Sequence, residues 1–243
     1  MIKVGLFGKN SDSIRHLIPE YGFELVEGNP DVLISYGGDG TLLSAERKYP
    51  SLPKLPIRDS KVCKKCPVHT TEHLLQELSE GKIKLETYPK LEAKFNSEEI
   101  SALNDLVIRN SVPMHALRFR VYLNGKLVRH EVIIGDGVVL TTVFGSSGYY
   151  QSITRKTISE DFALAFNNTT FHVENFKFKK GDEIKVEVVR GPGSLSSDNN
   201  SKLHNLKEGD IVLIQASKHD ARIYVEKTIR CDDCVILRDK RLR

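Results

Sequence analysis

The feature that most constrains this chain is a short apolar run that ends in glycines. Residues 31–36 (DVLISY) read as a buried strand, Gly37-Gly38-Asp39-Gly40 as a turn, and Thr41 to Arg47 as a helix leaving that turn. A strand that passes through a glycine turn into a helix opens a βα unit. Such units belong to open α/β sheets, which take their ligands at the carboxyl ends of the strands. Residues 2–7 (IKVGLF) supply an earlier strand, and Ser11-Asp12-Ser13 cap a short helix that ends near Pro19. A further helix is predicted over 71–80, with Leu74, Leu75 and Leu78 on one face. The first domain, residues 1–85, is therefore expected to be α/β and Rossmann-like.

Near residue 85 the pattern changes. Alternating runs at 83–95, 102–109, 117–123 and 126–134 predict antiparallel strands, with Asn124-Gly125 as the hairpin turn between the last two. Further strands are predicted at 137–143, 171–178, 184–189, 211–215 and 221–226, separated by turn-forming clusters at 191–193, 197–200 and 208–210. Residues 86–226 thus read as a β-rich, sandwich-like domain, and no internal repeat or long linker interrupts the chain.

Composition removes several classes. With 40% hydrophobic and 28% charged residues over 243 positions, neither a disordered nor a fibrous protein fits. No stretch approaches the roughly 18 consecutive apolar residues of a membrane helix. The opening MIKVGLFGKNSDS turns polar too early for a secretory leader, so the cytoplasm is the expected compartment. Thirty-six Lys and Arg against 32 Asp and Glu give a formal charge of +4. That balance suits a polyphosphate ligand and is too slight to argue for nucleic acid. There is no Trp, and the aromatic residues are scattered, so no stacking platform for bases is visible.

Three segments carry candidate chemistry. In Gly37-Gly38-Asp39-Gly40-Thr41 the glycines allow close approach to a phosphate, and the following helix start offers N–H donors. A carboxylate beside phosphates is repelled unless it binds a metal, accepts a ligand hydroxyl, or takes that hydroxyl's proton as a general base. The same residues also fit a plain tight turn. Asn104-Asp105, entering an apolar strand, pairs donors with acceptors as a ribose or an adenine edge would require, or simply marks a turn. In the third segment a strand runs from Gly135-Asp136-Gly137 into Gly145-Ser146-Ser147-Gly148-Tyr149-Tyr150, a donor-rich loop with a ring to pack on a base. A tight βα connection without a ligand explains that segment equally.

In this order, GGDGT at 37–41, NDLVI at 104–108 and GDG…GSSGYYQS at 135–152 resemble the NAD kinase family. GGDGT alone is shared with diacylglycerol and sphingosine kinases, so the later two motifs select the family. The resemblance implies Asp39 as the base that activates the 2′-hydroxyl of the adenosine ribose, with Gly37, Gly38, Gly40 and Thr41 shaping the phosphate turn. It implies that Asn104 and Asp105 bind NAD, that Asp136 lies near the nicotinamide end, and that Ser147, Gly148, Tyr149 and Ser152 contact the adenosine half. It further implies magnesium or another divalent cation with ATP or polyphosphate, a homodimer or homotetramer, and a tail over 227–243 returning to the first domain.

The chain departs from the family pattern where Thr142-Val143-Phe144-Gly145-Ser146-Ser147-Gly148-Tyr149 replaces Thr-Pro-Thr-Gly-Ser-Thr-Ala-Tyr. A charged stretch from Pro56 to Lys65, including Arg58 and Lys61, also replaces a glycine-rich segment, and Arg58 becomes a candidate phosphate ligand. These departures keep two alternatives open: an NAD(P)-binding sensor without kinase activity, and a kinase for another alcohol sharing only GGDGT.

All four cysteines fall in two C-x-x-C pairs, Cys63 with Cys66 and Cys231 with Cys234. The spacing fits one structural zinc site, a disulfide or redox pair, or free thiols. His69 and His73 are four apart, without an evident third ligand, and are assigned surface or capping roles.

Overall fold

The computed structural model describes residues 1–50, 52–59 and 69–226. It divides into two compact units, one of Met1–Tyr88 joined by the strand beginning at Ala221, the other of Pro89–Asp220.

The first unit opens on β1 (Lys3–Phe7), followed by a 3-10 turn at Ser11–Ile14 and the short helix α1 (Leu17–Glu20). The expected single helix is thus two separate turns; Pro19 sits in the first turn of α1, where its missing N–H costs nothing. Next come β2 (Glu24–Leu25), β3 (Val32–Tyr36), α2 (Asp39–Lys48), β4 (Lys54–Ile57), α3 (Thr71–Ser79) and β5 (Lys84–Tyr88). Strands β2, β1, β3 and β4 pair in that order, all parallel. β3 is buried along its whole length, and Ile34, Leu55 and Ile57 pack with Leu74, Leu75 and Leu78 of α3 in one core. That three-leucine face is the one the sequence predicts.

The second unit is antiparallel throughout. Its strands are β6 (Leu91–Phe95), β7 (Glu98–Ala102), β8 (Asp105–Asn110), β9 (Leu117–Leu123), β10 (Lys126–Leu127), β11 (Ile133–Gly135) and β12 (Gly137–Thr142). After α4 (Tyr149–Thr154) come β13 (Phe162–Asn167), β14 (Phe176–Phe178), β15 (Ile184–Arg190), β16 (Gly193–Ser197), β17 (His204–Leu206) and β18 (Ile211–Ala216). One sheet runs β10-β9-β15-β18-β6-β7 with β11 also on β9, the other β14-β13-β12-β8-β16-β17. Side chains of both sheets, among them Phe119, Val186 and Ile214 from the first and Leu106, Leu140 and Phe166 from the second, form one hydrophobic core. Asn124 and Gly125, both at positive φ (50° and 76°), make the predicted β9–β10 turn.

The run at 83–95 is not one strand. Pro89 cannot donate to a ladder, and the chain splits there into β5, which joins the first sheet, and β6, which joins the second unit. The last described strand, β19 (Ala221–Val225), also lies in the first sheet, between β4 (parallel) and β5 (antiparallel), rather than with the β-rich part. The return to the first sheet therefore begins at Ala221, and the predicted tail at 227–243 lies outside the described residues. The runs at 126–134 and 171–178 shrink to β10 with β11 and to β14. Among the described residues no helix is long and apolar enough to cross a membrane.

Candidate functional site

In the first unit the site is the turn between β3 and α2. Gly37 has φ +157°, and a Cβ there would stand 2.2 Å from Thr41 Oγ1, so only glycine lets Thr41 close over the strand end. The Gly37 N–H donates to the Ile57 carbonyl at 2.8 Å, which ties the turn to β4. Gly38 is the N-cap of α2 and offers no capping side chain, and the Thr41 N–H donates to its carbonyl at 3.0 Å. The helix begins at Asp39 itself, two residues before the predicted start, which puts a carboxylate in the first turn at the positive end of the helix dipole. Arg58, just beyond β4, donates from Nη2 to Asp39 Oδ1 at 2.9 Å. The Asp39 side chain stays 47% exposed, so solvent still reaches the carboxylate despite the pairing.

Gly37, Gly38, Asp39, Arg58, His69 and Glu226 line a common concavity. Burial first, and the Arg58 charge second, hold the His69 imidazole below its ordinary pKa. Thr70 is the N-cap of α3, its hydroxyl accepting the His73 backbone N–H at 3.1 Å, and the His73 ring pairs with Glu226 at 3.1 Å rather than capping the helix. Among the described residues no three His, Cys, Asp or Glu side chains cluster as a metal cage. Cys63, Cys66, Cys231 and Cys234 lie outside the described residues, as does Lys61.

The second unit gathers most of the remaining predicted residues. Asp105 begins β8 and is buried at 8% exposure. Its Oδ1 and the Oδ1 of Asn104 are both buried without a hydrogen-bond partner. Desolvation, reinforced by the Asp198 charge and opposed by the Thr141 hydroxyl, pushes the Asp105 carboxyl up to about 7. The loop after β12 closes against this pair. A Cβ at Gly145 would meet the Asn104 Cα and carbonyl oxygen at 2.5 Å, and one at Gly148 would come within 3.9 Å of Asp105 Oδ2. The Thr142 hydroxyl donates to the Leu103 carbonyl at 2.6 Å and accepts from the Gly145 N–H at 3.1 Å, fastening the loop to the residues before β8.

Asp136 and Tyr149 are reached from the end of β13. Asn168 Nδ2 donates to Asp136 Oδ2 at 3.2 Å, and Asn167 Nδ2 donates to the Tyr149 hydroxyl at 3.0 Å. Gly137 (φ +135°) is required by packing, since a Cβ would sit 2.0 Å from the Ile108 carbonyl. Ser147 and Gly148 are exposed, whereas Ser152 lies within α4 and turns its hydroxyl onto the Tyr149 carbonyl at 2.7 Å. Asp198, Asn167, Asn168 and Thr142 were not among the predicted site residues. The sequence marked the region of Asp198 only as a turn.

No family model matches the chain. An NAD kinase of Sulfurisphaera tokodaii is 31% identical over 171 residues, covering 66% of this chain and 66% of that protein. An NAD kinase of Saccharolobus islandicus is 29% identical over 164 residues, covering 66% of this chain and 64% of the relative. The match thus spans about two thirds of the curated relatives' length. Among solved structures, an NAD kinase from Archaeoglobus fulgidus in complex with ATP superposes with a TM-score of 0.78 at 19% identity, covering 99% of this chain and 98% of its own. Yeast NADH kinase complexed with NADH gives 0.77 at 15% identity, covering 100% and 87%. The fold described above is shared with both.

Proposed function

Because the chain belongs to the NAD kinase family, we propose that it transfers a terminal phosphoryl group from ATP, or another nucleoside triphosphate or polyphosphate, to the 2′-hydroxyl of the adenosine ribose of NAD, giving NADP. Within the structure, the observation that carries this reading is the pair of buried, unpartnered oxygens on Asn104 and Asp105 beside the close-packed 145–148 loop. Buried acceptors are costly unless something donates to them, and ribose hydroxyls or an adenine amino group are donors of the right kind.

Each residue then has a task. Asp39 takes the proton of the 2′-hydroxyl as its oxygen attacks the terminal phosphorus and the bond to the leaving phosphate breaks. Arg58, hydrogen-bonded to Asp39 Oδ1, orients that carboxylate and brings a fixed positive charge to the phosphates. The amides of Gly38 and the first turn of α2 face developing negative charge. Asn104 and Asp105 hold the dinucleotide, Tyr149 and Gly148 meet its adenosine half, and Asp136 its nicotinamide end. Magnesium usually keeps several waters and takes one or two carboxylates together with substrate phosphates, and the half-exposed Asp39 is the carboxylate that would meet it. When bound, the cation neutralises charge on the phosphates. A cytoplasmic homodimer or homotetramer is the assembly this family reading implies.

The test is NADP formation from NAD with Mg²⁺ and, separately, ATP or polyphosphate, with Asp39→Ala alongside. Turnover is expected, and Asp39→Ala is expected to lose it at least about a hundredfold while remaining folded. Full activity in the variant removes Asp39 from the mechanism. Absent turnover with NAD still bound turns the reading to a sensor.

A further inference from the structure

The carboxylate of Asp198 stands behind the Asn104–Asp105 pair and accepts from the backbone that leads into it. Its Oδ1 accepts the N–H groups of Asn104 at 2.7 Å and Asp105 at 3.2 Å, and its Oδ2 accepts the N–H of Leu103 at 3.0 Å. Its own N–H donates to the Asp105 carbonyl at 2.9 Å, so the turn after β16 and the start of β8 are locked in both directions. Asp198 achieves this at φ +47°, a conformation that aspartate tolerates better than most residues. Three successive amides converging on one carboxylate form a rigid nest. The chain leaves that nest with Asp105 buried, Asn104 half-buried, and the Oδ1 atoms of both buried and unpartnered.

We propose that Asp198 is a positioning residue of the dinucleotide site, fixing the backbone from which Asn104 and Asp105 reach the ligand and setting the charge that Asp105 feels. This rests on the reading that Asn104 and Asp105 hold NAD. The groups facing Asp105 are Asp198 from the turn after β16, Thr141 from β12 and Gly148 from the loop; of these Asp198 alone is charged. A ligand that donates hydrogen bonds to Asp105 selects its ionised form, so NAD affinity falls as pH drops below about 7. Burial raises that midpoint most, and the Asp198 charge adds to it, because it opposes ionisation of a second carboxylate beside it.

The experiment measures NAD binding by titration calorimetry from about pH 5.5 to pH 8.5 on the full chain and on Asn104→Ala, Asp198→Ala and Asp198→Asn, with ATP binding and thermal stability in parallel. Asp198→Ala is expected to weaken NAD about tenfold or more while ATP affinity is unchanged. Asp198→Asn retains one acceptor oxygen for two of the three amides and lacks the charge. It is expected to recover part of the affinity and to move the pH midpoint downward, a change that a purely structural role would not produce. Where Asp198→Ala does not fold, Asp198→Asn decides alone. An Asp198→Asn midpoint identical to that of the parent, or unchanged NAD affinity in a folded Asp198→Ala, overturns the proposal. If Asn104→Ala also leaves NAD affinity unchanged, it is the reading of the site itself that fails.

Discussion

At the scale of single residues, Asp105 carries opposed demands of folding and binding. Its carboxyl is buried beside Asp198 and pushed up to about 7, against an ordinary value of 3.8. A raised carboxyl pKa means that the native state prefers the protonated form. Its contribution to stability is full below pH 4 and is lost as pH rises through about 7. Asp105→Asn removes that dependence. The variant is expected to match the parent near pH 4 and to exceed its unfolding free energy by up to about 4 kcal/mol at pH 8, while binding NAD more weakly. Urea titrations at the two pH values check this, and a variant no more stable than the parent at pH 8 contradicts it. Residue types disclosed part of this site: a carboxylate among glycines at Asp39, and an amide–carboxylate pair entering a strand at 104–105. They did not disclose Asp198, because its partner amide at Asp105 is 93 positions away and no local spacing records that distance. Nor could they show that Ser152 spends its hydroxyl on a carbonyl of its own helix.

At the scale of elements, what was readable depended on how many faces an element buries. β9 and β15 alternate because one face meets the core, and both were placed from the sequence. β13 (FALAFN) does not alternate and was missed. Phe162, Leu164 and Phe166 enter the main core while Ala163 and Ala165 pack with Tyr150 and Ile158 on the other face. β16 (GSLSS) was missed because serines read as a turn, although Ser194 and Ser197 are buried in the sheet beside β8. The placement of α2, and with it Asp39, depends on another feature without a periodic signature. Lys54 of β4, wholly buried, pairs with Glu46 of α2 and donates to the Tyr49 carbonyl at the end of that helix at 2.5 Å. Removing one partner strands a buried charge, so Lys54→Met and Glu46→Leu are each expected to cost about 3–5 kcal/mol in urea unfolding. The double variant should regain most of that loss. Single variants losing under about 1 kcal/mol would instead give the pair the weight of an exposed surface bridge.

At the scale of the whole chain, the β-rich unit is an excursion from the first sheet. Tyr88 and Ala221 are paired across β5 and β19, where the chain leaves and re-enters that sheet. In the second unit Leu91 pairs with Ala216 across β6 and β18, and the Ser217 N–H donates to the Lys90 carbonyl at 2.8 Å. Each unit therefore holds its own chain ends together, the arrangement that lets an inserted unit fold by itself. The two units are not equivalent in this respect. Residues 89–220 contain both antiparallel sheets and their shared core, whereas residues 1–88 lack β19, the strand between β4 and β5. Without β19, β5 has no sheet partner among the described residues, and Ile223 leaves the interior. Expressed alone, residues 89–220 are expected to unfold in one cooperative thermal transition. A chain stopped after Asp220 is expected to keep that transition while its first 88 residues become sensitive to protease, with NADP formation lost. Circular dichroism melts and mass analysis of limited digests distinguish the outcomes. A fragment 89–220 that melts without a transition would show that the second unit depends on the first, and a stopped chain that resists protease throughout would show that β19 is dispensable to its sheet.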